Sequence, residues 1–140
     1  MIADIRKTVN EIDHIIRKGL WLDFTVFKYE GRTLTIAGSE DLIYYHQLEI
    51  IFENVFFFRG YMDEWHSDTS APVFVLPDDT TELNYQFEIE YGYTLFIFKA
   101  EDHKNDIIIA AESVSYNTDT VRYSWHENKK VIERIPAPKK

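Results

Sequence analysis

The spacing of hydrophobic residues changes once along this chain, near residue 20, and does not change back. Before that point Ile2, Ile5, Val9, Ile12, Ile16 and Leu20 recur every three or four residues, which lines one face of an α-helix. Ile15 widens the stripe, and Gly19 is placed to cap the helix C-terminus behind Arg17 and Lys18. The stripe is too short for a sustained coiled coil, so it predicts a helix packed on the protein's own sheet. A homodimer through this stripe is the alternative use.

Beyond Trp21 the period is two. Leu22, Phe24 and Val26 alternate with Asp23, Thr25 and Phe27. Glu30-Gly31-Arg32 supplies a hairpin turn before Leu34 and Ile36 resume the pattern. Residues 48–58 are apolar and aromatic almost throughout, as a central strand covered on both faces requires. Residues 59–77 are irregular, with a short edge strand at 73–76. Tyr85, Phe87, Ile89 and Tyr91 alternate with Gln86, Glu88 and Glu90, which predicts a half-buried strand. Further strands are expected at 93–99, 106–116 and 121–126, and a last hairpin ends in 131–135. Strands joined by short turns, with no helix between them, pair antiparallel. The expected class is α+β: an N-terminal amphipathic helix followed by a mostly antiparallel β-sheet or sandwich of about eight strands. Residues 1–135 are read as a single domain and residues 136–140 as a flexible C-terminal tail.

Two strands echo each other. Residues 50–57 (IIFENVFF) and 109–116 (IAAESVSY) share Ile, then Glu three positions later, Val two after that, and an aromatic two further on. Glu53 and Val55 have the same strand parity but opposite polarity. A β-bulge near Asn54 and another near Ser113 would let each strand change faces.

Charge narrows the functional classes. The net charge is −9, but residues 40–119 hold seventeen Asp and Glu against three Lys and Arg, a local −14. Residues 122–140 reverse to +4, with six basic residues against two acidic. The acidic middle repels nucleic-acid phosphates and attracts a basic protein partner. The absence of cysteine removes disulfides, zinc–thiolate sites and cysteine nucleophiles. Charges interrupt residues 1–20, so no signal peptide is expected, and no stretch is long enough for a membrane helix. The expected location is cytoplasmic.

Catalytic signals are sparse. The glycines are scattered, without a phosphate loop or dinucleotide fingerprint, and there is no Gly-x-Ser-x-Gly elbow. His66 and Asp68 have His-x-Asp spacing, which places both on one face of a strand, but a pair of donors does not make a metal site. Ser67 beside them has the composition of a triad, yet sequence neighbours rarely converge that way. No catalytic residue, cofactor or metal is therefore assigned. The densest group of polar and aromatic side chains is Tyr61, Asp63, Glu64, Trp65, His66 and Asp68, which is the expected partner-binding site. The alternative is a small-molecule-binding β domain or enzyme with an aromatic-lined pocket using His46 or His66.

Residues 34–39 (LTIAGS) and 45–55 (YHQLEIIFENV) resemble small bacterial β-rich proteins, some grouped as immunity proteins of polymorphic toxin systems. The resemblance spans residues 21–60 and rests on hydrophobic patterning. It implies a cytosolic protein that binds and neutralises a toxin without catalysis, and it carries no site residues over to this chain.

Overall fold

The computed structural model of the chain describes residues 2–138. Helix α1 covers Ile2–Ile16, and ten strands follow, with one short helix among them. The strands are β1 (Trp21–Glu30), β2 (Thr33–Ser39), β3 (Tyr45–His46), β4 (Leu48–Arg59), β5 (Trp65–Asp68), β6 (Phe74–Val75), β7 (Thr94–Phe98), β8 (Ile107–Asn117), β9 (Thr120–His126) and β10 (Lys129–Ile135). The second helix, α2, is Thr81–Gln86. The expected α+β class with a mostly antiparallel sheet is what the molecule adopts. Among the described residues no helix is long and apolar enough to cross a membrane. Of the expected tail, residues 139 and 140 lie outside the described residues.

The main sheet has the order β5-β1-β2-β4-β8-β7-β6, with every pairing antiparallel. The apolar segment β4 is its middle strand, as its composition requires. The sheet curls into a half-barrel, and the chain leaving β7 ties the two ends together. Lys99 N–H donates to Val73 O and Glu101 N–H donates to His66 O, both at 2.8 Å. Phe24, Phe52, Trp65, Phe74, Phe96 and Phe98 fill the concave side as one fully buried aromatic cluster.

Helix α1 covers this core with Val9, Ile12 and Ile16. Asp13 Oδ1 accepts the backbone N–H groups of Val73 and Phe74 at 2.8 and 2.9 Å, which fixes the helix against the β6 edge. The stripe ends earlier than its sequence suggests. Leu20 is 82% exposed, and Gly19 does not take the left-handed conformation of a glycine cap. Helix α1 stops at Ile16 and the chain turns directly into β1.

The echo in β4 and β8 has a structural basis, because these strands are partners. Phe52 and Val114 face the core, Glu53 and Ser113 are exposed, and Val55 and Ala111 face the core again. Both strands change faces together at Asn54 and Glu112, with Asn54 at φ 54° and its side chain donating to Glu112 at 2.6 Å. The expected shift near Ser113 is absent from the register. The extra residue lies between Val55 and Phe57 of β4.

The segment around Tyr85, Phe87, Ile89 and Tyr91 is not a strand. It forms α2 and a turn, and Tyr85 and Tyr91 are exposed. Asp79 Oδ1 accepts Thr81 N–H at 2.9 Å at the helix start. Leu83 and Phe87, four apart, then share a face that packs with Ile89 on Leu95, Ile97, Ile108 and Ala110. The outer face of β7 and β8 needed cover, and β6 already occupied the sheet edge. Tertiary packing therefore outweighed the alternating pattern.

A second sheet, β10-β9-β3, lies outside the first. Its junction is a buried polar node. Glu49, only 3% exposed although on the central strand, receives Arg134 of β10 through two hydrogen bonds of 2.8 and 2.9 Å. His46 Nε2–H and Asn117 also donate to it, at 2.7 and 3.0 Å. The Tyr123 hydroxyl bonds His46 Nδ1, and Phe27 closes the other side of the ring.

Candidate functional site

Strand β5 is an edge strand in the segment that the sequence leaves irregular, and it pairs with the start of β1. The pairing decides which neighbours each predicted site residue meets. Trp65 and Ser67 point inward, while His66 and Asp68 share the outer face. Trp65 is therefore not a contact residue for a partner. It is 0% exposed and stacks on Phe24 with ring centroids 5.8 Å apart. Ser67 donates to Lys99 O at 2.5 Å on the far side of the strand from His66, which removes the triad arrangement.

His66 stands opposite Asp23 in the β1–β5 register, and its Nδ1 lies 2.6 Å from Asp23 Oδ1. Its Nε2 faces Glu101 at 3.5 Å, and its backbone N–H donates to Asp102 Oδ1 at 2.9 Å. The Trp21 ring stacks beside it. Tyr61 stacks on His103, with centroids 3.8 Å apart, and His103 lies 3.6 Å from Asp102. Asp68 is exposed and accepts Ser70 N–H in a local turn.

Asp63 and Glu64 join this face from the connection between β4 and β5. Partial burial, followed by the charges of Asp23, Asp63 and Asp41, pushes the Glu64 carboxyl above its ordinary value. Glu64 thus lies within the field of the other three acids. Exposed apolar side chains adjoin them in the chain: Leu20 and Trp21 before Asp23, Ile43 and Tyr44 after Asp41, and Met62 before Asp63. Asp23, Asp41, Glu101 and Asp102 lie outside the partner-binding set that the sequence predicts. The β1–β5 pairing brings Asp23 to His66, and the connection after β7 brings Glu101 and Asp102 there. Among the described residues, no group of three or more His, Asp or Glu is placed to hold a metal ion.

The second histidine centre is closed. His46 is fully buried between Phe27, Tyr123 and Glu49. Burial alone would raise the Glu49 carboxyl, but hydrogen bonds from His46, Arg134 and Asn117 and the Arg134 charge hold it far below the usual carboxylate range. Burial and the Glu49 charge push the Tyr123 hydroxyl up to about 12, so it donates to His46 rather than acting as an anion. This node joins two sheets and is sealed from solvent at the imidazole. An apolar groove of about 260 Å³, lined in part by Val26, Leu34, Val55, Phe57 and Met62, contains neither His46 nor His66.

Searches against protein-family models, curated proteins and solved structures found no match to this chain.

Proposed function

We propose that this protein is a non-catalytic protein-binding module of the immunity type, whose acidic face captures and neutralises a basic toxin in the cytoplasm. The supporting observation is the gathering of Asp23, Asp41, Asp63 and Glu64 beside His66, Glu101 and Asp102, bordered by exposed Trp21 and Met62. Collecting like charges costs stability, and a cationic partner relieves that cost on binding. The same field disfavours nucleic acid. Asp63, Glu64, His66, Asp68 and Tyr61 remain the contact residues of this reading, and Trp65 supports them from the core.

A small-molecule site using His46 or His66 has weaker support. His46 has no exposed surface, and aromatic side chains fill the concave face of the half-barrel.

Calorimetric titration against basic nuclease toxin domains encoded beside this gene tests the proposal. Binding should weaken with added salt and with Asp63→Lys or Glu64→Lys, and it should inhibit the nuclease. Failure to bind any such domain, or binding indifferent to both the variants and salt, refutes it.

A further inference from the structure

We propose that β10 is a self-association edge, at which two copies of this chain pair antiparallel about a two-fold axis through Val131. This surface is separate from the acidic face. Strand β10 is the outer strand of the β10-β9-β3 sheet, and all seven of its residues are exposed. Such an edge presents unpaired N–H and C=O groups to a further strand. Val131, Ile132 and Ile135 on it, and Trp125 beside it on β9, are large apolar side chains open to solvent.

Charge selects the occupant and the register. In a two-fold antiparallel pair, one residue faces its own copy and the others pair symmetrically about it. Centring on Lys130, Glu133 or Arg134 puts like charges on the axis. Centring on Ile132 sets Lys130 against Arg134. Centring on Val131 sets Lys129 of each copy against Glu133 of the other, two opposite-charge pairs flanking an apolar Val131 contact. Lysines usually protect an edge from such pairing. Here Lys130 is folded onto the Tyr123 ring, 4.0 Å from its centroid, and Lys129 gains a partner in this register.

The hairpin is attached at one end only. Strand β10 is anchored to the main sheet at Arg134, by Glu49 and Asp119. Val131 lies toward the free turn at Glu127 and Asn128, both at positive φ. The two anchors therefore sit on opposite sides of the axis, about 20 Å apart along the ribbon.

Sedimentation of the full chain from micromolar to millimolar concentration, with Lys129→Glu, Glu133→Lys and the double exchange, tests the proposal. Each single reversal should weaken dimerisation by about tenfold or more, and the double exchange should restore it. The chain has no cysteine, so Val131→Cys should form an interchain disulfide on oxidation while Ser124→Cys does not. These side chains are exposed, and circular dichroism checks that each variant is folded. A protein that stays monomeric throughout, or a dimer unaffected by both single reversals, overturns the proposal.

Discussion

Replacing Arg134 by alanine removes the cation from the most buried carboxylate of the molecule. Two hydrogen bonds to Glu49 are lost, with a third to Asp119 at the more exposed rim. A hydrogen bond to a buried charge contributes roughly 1.5–3 kcal/mol. The Arg134 side chain is 43% exposed, so solvent screens part of its charge and the lower end of the range applies. Glu49 keeps His46 and Asn117, which limits the damage. The expected loss is about 2–3 kcal/mol at neutral pH. Its pH dependence follows from the direction of the Glu49 shift. The folded value lies below the ordinary 4.5, so the contribution is complete above that pH and disappears as pH falls toward the folded value. The deficit of the variant should be full at pH 7 and smaller near about pH 3. Urea unfolding at both pH values measures it. A loss under about 0.5 kcal/mol, or an equal loss at the two pH values, refutes the reasoning.

Other substitutions probe the core and the acidic face. Trp65→Ala should cost about 3–5 kcal/mol because it empties the centre of the aromatic cluster, whereas Trp65→Phe should cost much less; thermal or urea denaturation separates them. Asp13→Ala strands the Val73 and Phe74 N–H groups and should cost about 2 kcal/mol, with faster hydrogen exchange along β6 as the local signature. Asp63→Asn removes one of the charges that raise Glu64, so the Glu64 titration seen by carboxyl NMR should move down. A carboxyl raised in the folded state stabilises below its unfolded value and loses that contribution as pH rises through the folded value. The same variant should therefore be no less stable than the native protein at pH 7, and a clear loss there would count against the acidic cluster as described.

The fold was legible where short-range periodicity and burial agree. The α1 stripe, the β1–β2 hairpin and the central position of β4 all appear in the spacing of apolar residues. Residues 83–91 carry both an alternating pattern and an i, i+4 pair, Leu83 and Phe87, and packing favours the helical pair. Strand β5 was hidden because it is four residues long and lies within a polar connection. The site was only partly legible. Polar and aromatic groups are dense at residues 61–68, but inward or outward placement depends on register. A single parity choice sent Trp65 into the core and His66 out to Asp23.

The sequence alone determined the α+β class, the antiparallel hairpins and the acidic middle, because helix and strand periods and net charge are properties of near neighbours along the chain. Only the tertiary structure decided which charges meet. Glu49 reads as an acid without a cation in an apolar strand until β10 brings Arg134 to it from 85 residues away. Asp23 and Asp41 join Asp63 and Glu64 through the pairing of β5 with β1 and β1 with β2. Electrostatic and hydrogen-bonding partners are chosen by proximity in space, which the curl of the sheet sets and local pattern does not encode.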